Sequence, residues 1–190
     1  MKFQVFKLIL GFIKNPKKTW GYCLSINYTI KNTILYFLTP LIIISSIFRL
    51  LGLLISLKDF SVSSIILSFL SFTIICFSTI HLSSLVINQL LPKFKETRNF
   101  SAIFNLISFS SFPSILASGI ADLHPSISAF NFLSLYSIVI FSLGVLKILT
   151  IPKEHTLGFI LISLIIVTSS IIIISFIIMS ISNSIFINLI

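Results

Sequence analysis

From position 157 to position 190 the chain carries no charged side chain. Water cannot satisfy the backbone of a run this apolar once it is buried in lipid, so the run must pair its own N–H and C=O groups, as a helix does. Four further apolar runs precede it, at 34–57, 62–91, 100–120 and 126–149. Each reaches the roughly 20 residues a helix needs to cross a hydrocarbon core of about 30 Å. Only 9% of the residues are charged and 56% are hydrophobic, whereas soluble domains carry about 25% charge and use it to cover their surface. The expected fold is an all-α integral membrane protein with five transmembrane helices in one domain, at 32–190. The last run is longer than one upright span. It reads as a span at 157–179 followed by a tail that leaves the membrane near 180–183. Pro40 is expected to kink the first span, and Pro113 lies inside the third. Lys58 and Asp59 form the first turn, and Asp122, His124 and Pro125 a later one.

The segment 1–31 reads differently. Gln4, Lys7, Gly11 and Lys14 fall on one narrow helical face, with Phe3, Phe6, Ile9, Leu10 and Ile13 around the rest. That pattern is expected of an amphipathic helix lying in the membrane interface. A cleaved signal is not expected, because Lys7 and Lys14 interrupt its apolar part and no small-residue cleavage site follows. Asn15 is placed to cap a second helix that Pro16 begins. Lys17, Lys18, Trp20, Tyr22, Tyr28 and Lys31 then read as a basic and aromatic belt at headgroup level.

Charge sets the orientation. The net charge is +9, from 13 Lys and Arg against 4 Asp and Glu. Cations collect in the N-terminal segment, in the loop with Lys93, Lys95 and Arg98 against Glu96, and near the last turn as Lys147 and Lys153. The alternate turns hold Lys58 with Asp59 and Asp122. Cations favour the cytoplasmic side, so the expected topology has the N-terminus in the cytoplasm and the C-terminus outside an inner membrane. Lys14, Lys17, Lys18, Lys93, Lys95 and Arg98 then make one basic face. Anionic lipid headgroups, not nucleic acid, are its expected partner.

Little in the chain promises chemistry. Asp59, Glu96, Asp122 and Glu154 all sit in turns, so no two carboxylates face each other at membrane depth. His81 lies in a span, with His124 and His155 in turns on opposite sides, so the three cannot share a metal. Cys23 and Cys76 form no metal or redox spacing and read as free thiols. No catalytic residue, cofactor or metal is expected. Arg49 and His81 are ionisable groups inside spans and so count as a candidate site. Arg49 is expected to snorkel or to pair with Asp122. His81 is expected to be neutral and bonded to a Ser or Thr within the bundle. Ser110, Ser114 and Ser118, around Pro113, form a small-residue stripe that would let another helix approach closely.

Four pieces of the chain are similar to the Yip domain family (Ypt/Rab-GTPase-interacting proteins), in its bacterial branch. They are NPKKTW at 15–20, LPKFKETRNF at 91–100, FSSFP at 109–113 and LYSIVIFSLGVLKILTIPKE at 135–154. The resemblance implies a cytoplasmic N-terminal segment, a five-helix bundle and a non-catalytic role in binding other membrane proteins. It implies no particular partner for a bacterial member. Two functions therefore follow. The first is a membrane scaffold acting through protein or lipid contacts, alone or as an oligomer. The second is a small-solute transporter or channel using Thr73, Ser78, His81, Asn88 and Gln89 of the second span with Asn105, Ser108 and Ser111 of the third.

Overall fold

Helix accounts for almost all of the residues described by the computed structural model, which are 4–26, 28–56 and 62–187, and no strand occurs among them. Five helical stretches are long and apolar enough to cross a membrane: Ile30–Ile55, Ile65–Phe94, Phe100–Ala121, Pro125–Ile148 and Lys153–Ser182. The turn at Lys58 and Asp59 lies outside the described residues.

Two short helices, α1 (Gln4–Lys14) and α2 (Pro16–Ile26), precede the bundle. Asn15 caps α2 through its side chain, accepting from the Lys18 N–H at 3.0 Å, with Pro16 as the first helical residue. The two helices touch where Gly11 meets Thr19: a Cβ at Gly11 would lie 2.8 Å from the Thr19 hydroxyl.

This pair is not a separate segment. Phe12 and Trp20 are fully buried, and their rings meet edge-on at 5.0 Å. Both also contact Phe109, as do Tyr28 and Phe37, so one ring in the third long stretch gathers four aromatic side chains. Trp20, expected in an aromatic belt facing headgroups, is thus packed against protein. Its indole N–H donates to the Ile140 carbonyl at 3.0 Å, which satisfies the one polar atom that burying a tryptophan must satisfy. Tyr28 is buried too. In α1 the inward residues are Val5, Leu8 and Phe12, while Phe6, Leu10 and Ile13 stay exposed. The helix thus has two apolar faces, one spent on protein and one left outside.

Three of the long stretches are irregular. The first comprises α3 (Ile30–Thr33), a π-helical turn at Ile34–Leu38, and α4 (Thr39–Ser56). Pro40 has no N–H to give its helix, and the disturbance appears just before it, where Thr39 N–H reaches back to the Ile34 carbonyl. After α5 (Val62–Leu90) and a 3-10 turn at Leu91–Phe94, the third stretch breaks at Ser111 into α6 (Phe100–Ser110) and α7 (Phe112–Ala121). Pro113 is the cause: its ring excludes the carbonyl four residues back, and its missing donor ends one helix and suits the first turn of the next.

The fourth stretch was expected to be α-helical throughout, but Pro125–Leu135 is 3-10 and only α8 (Tyr136–Ile148) is α. At about 2.0 Å per residue the narrower helix covers about 22 Å, where an α-helix would cover about 16 Å. Ser114 of α7 meets the chain where it changes from 3-10 to α: its hydroxyl donates to the Ser134 carbonyl at 3.4 Å and lies 2.8 Å from that of Ser137 in α8.

The last helix, α9, runs unbroken over Lys153–Ile187, so the backbone stays helical through 180–183. The Ser180 hydroxyl donates to the Phe176 carbonyl at 2.9 Å. Serine inside a helix can bond its own backbone in this way, so its polarity does not end the helix.

Candidate functional site

At one end of the bundle the loop after α5 is tied to the turn between α8 and α9. Glu96 is the tie. One carboxylate oxygen accepts from the Thr97 N–H at 3.0 Å; the other accepts from the Thr150 hydroxyl at 2.7 Å and from the Thr150 N–H. Partial burial works against ionisation, but the hydrogen bonds from Thr150 and Thr97 outweigh it and hold the carboxyl below its usual range. Phe94 adds an edge-on contact with Phe159 at 5.2 Å. Lys95 turns the chain with φ 61°, a left-handed conformation at a helix C-cap where glycine is the easier residue.

Glu96 thus faces Thr150, and Lys93, Lys95 and Arg98 are exposed with no ion pair among the described residues. Lys14, Lys17 and Lys18 are exposed as well. The Tyr136 hydroxyl donates to the Phe12 carbonyl at 3.0 Å, which sets the α1–α2 turn beside the start of α8. Thr150 lies just past the other end of that helix, whose 13 residues cover about 20 Å. The six cations belong to two segments, the α1–α2 hairpin and the loop after α5.

Arg49 and Asp122 meet at the opposite end of the bundle. Arg49 Nε lies 3.6 Å from Asp122 Oδ2, and the guanidinium also lies over the Phe72 ring at 5.4 Å. Both side chains are part-exposed, at 37% and 43%, so the pair contributes little by charge alone. The helices that carry them are pressed together. A Cβ on Gly52 would overlap the Asp122 carbonyl, and one on Gly119 would lie 2.7 Å from the Ser45 carbonyl oxygen.

His81 is elsewhere. It is exposed on α5, edge-on to Phe100 at 5.7 Å and to Phe104 at 6.5 Å. This corrects the expectation that it bonds a hydroxyl inside the bundle, because α5 turns that face outward. His124 accepts from the Ser126 N–H at 3.2 Å and so caps the 3-10 helix.

Between α5, α7, the 3-10 helix, α8 and α9 lies a cavity of about 840 Å³. Ser110, Ser114 and Ser118 open onto it, as does Arg49. Close backbone approach falls to Gly119, the residue after Ser118, and to Gly52 of α4. Pro113 is buried at the break itself. Ser68, Ser71 and Thr79 of α5 face the stripe across the cavity, with Ser134 and Ser137 beside it. No imidazole or carboxylate is in these walls among the described residues, so what they offer is hydroxyls, the Asn131 amide, the Cys76 thiol, one guanidinium and apolar surface. The serine spacing on α7 was the visible sign of this cavity. Which helices would face it was not written in any one segment.

The other polar residues of the second and third stretches do not converge. Asn105 accepts from the Thr33 hydroxyl at 2.7 Å and donates to the Tyr28 carbonyl at 2.6 Å. Gln89 is exposed, while Thr73, Asn88 and Ser108 keep buried oxygens without a partner among the described residues. Ser78 is half-buried, and Ser111 reaches the cavity while donating to the Ser108 carbonyl at 3.0 Å.

By fold, then, this is a helical bundle with five stretches long and apolar enough to cross a membrane. The chain matches no family model, no curated protein and no solved structure.

Proposed function

We propose that the chain is a non-catalytic, multi-pass membrane scaffold of the cytoplasmic membrane that engages anionic lipid and neighbouring membrane proteins through Lys93, Lys95 and Arg98. The observation that carries this is the engagement of Glu96. The one acid of the loop is bound to Thr150, and the three cations next to it stand exposed and make no ion pair among the described residues. Each cation near an anionic surface contributes on the order of 1 kcal/mol, and salt screens it. Lys14, Lys17 and Lys18 form a second group beside the apolar residues Phe6, Leu10 and Ile13, a combination that suits the membrane interface. A scaffold of this kind accords with the resemblance to the Yip domain family. The small-solute transporter is the weaker reading, because His81 and Gln89 face outward and Asn105 is occupied.

The test is the variant Lys93→Gln, Lys95→Gln, Arg98→Gln, on which orientation and lipid retention are measured together. Correctly oriented protein that retains less anionic lipid, with the loss mimicked by salt on the parent chain, supports the scaffold. Inverted protein whose correctly inserted fraction keeps its lipid would leave these cations a role in topology alone.

A further inference from the structure

We propose that the hydroxyl-lined cavity is a lateral binding groove for a glycerophospholipid whose head carries both charges, as phosphoethanolamine does. The inference rests on the reading of this chain as a membrane protein but not on the basic loop.

Shape comes first. The cavity follows α5 from Leu67 to Ile80, about 20 Å at 1.5 Å per residue, so it is elongated. Its volume of about 840 Å³ lies within the range of sites that enclose a sizeable ligand. Ile66, Leu70, Leu135 and Ile138, beside it, are exposed and apolar, which gives acyl chains a continuous path outward.

The charged residues select the head. Arg49 reaches the wall and is paired through Nε with Asp122 at 3.6 Å, which leaves its remaining N–H groups to face a ligand. Guanidinium suits phosphate. Asp122 is not in the wall but lies against Arg49, so a head held by that guanidinium comes near a carboxylate, and one ending in an ammonium gives both side chains a partner.

Thr79 supplies the third point of recognition. It is 6% exposed, lines the cavity, and its hydroxyl has no partner among the described residues. A buried hydroxyl left unpaired is unfavourable. An ester carbonyl below the phosphate would accept from it; a hydrocarbon has no group to offer there, and a fatty acid whose one carboxylate is on Arg49 has none left.

The test uses the full chain extracted in mild detergent, delipidated, and titrated with phosphatidylethanolamine or phosphatidylglycerol under native mass spectrometry. One phosphatidylethanolamine is expected per chain, bound at least several-fold more tightly than phosphatidylglycerol. Thr79→Val should weaken it about fivefold, the worth of one hydrogen bond. Ser71→Phe, at a wall position with no hydrogen bond of its own among the described residues, should abolish it while the fold is kept. Equal binding of the two lipids would overturn the assignment of the head. Unchanged binding in Ser71→Phe and Thr79→Val would overturn the groove. If the chain sits in alkali-resistant membranes yet binds neither lipid, the groove fails alone; if it is absent from membranes, both readings fail.

Discussion

Glu96 accepts both the hydroxyl and the backbone N–H of Thr150, joining two loops that lie 54 residues apart in sequence. Because its carboxyl is held below the ordinary 4.5, the stability it contributes is present above that pH and disappears as pH falls through its lowered value. Glu96→Gln keeps one acceptor but loses the charge, and should cost about 1 kcal/mol after allowing for solvent exposure. Hydrogen exchange at Thr150 should quicken in that variant at pH 7. The parent chain should show the same quickening, after correction for intrinsic rates, only in acid.

Trp20 should prove to be a structural residue, not a membrane anchor. Trp20→Ala removes a fully buried indole and its bond to Ile140, a change that costs about 3–5 kcal/mol in well-packed cores. The melting temperature in detergent should fall steeply. A headgroup-level Trp would give a small change, and that result would contradict the packing of α2 against α8.

Two glycines should respond in opposite directions to alanine. A Cβ at Gly144 would press on Leu106 and lie 2.7 Å from the Trp20 ring, so Gly144→Ala should destabilise by about 1–3 kcal/mol. Gly21 lies within α2 with no atom near enough to obstruct a Cβ, so Gly21→Ala should gain up to about 1 kcal/mol from helix propensity. Thermal unfolding of the two variants side by side reads both.

Cys23 is 6% exposed, and burial pushes its thiol up to about 12. Thiolate is the reactive form. A soluble maleimide at pH 8 should therefore leave Cys23 unlabelled in the folded chain and label it after denaturation. Rapid labelling of the native protein would mean that α2 opens away from the bundle.

Much of the architecture is legible in hydropathy. Five apolar runs became five long helical stretches because lipid or a dry core leaves the backbone no partner but itself. Capping by Asn15 and Pro16 was equally readable, since the atoms concerned are neighbours in the chain. Pairing between Arg49 and Asp122 was one of two expected outcomes, as both groups lie near the same end of the bundle.

The tertiary structure decided the rest, through contacts between residues remote in sequence. Trp20 and Tyr28 look like interfacial aromatics in local sequence, and only the position of Phe109 turns them into core. An ionisable group within a span is expected to face the bundle, but the weak amphipathicity of α5 marks no inner face for His81. Glu96 looked like a partial neutraliser of its basic loop until Thr150 came within reach. Periodicity determines that a segment is helical and how long it is. Which side of it meets protein depends on where the other helices pack, and that distinction vanishes from the sequence when lipid-facing and protein-facing residues are equally apolar.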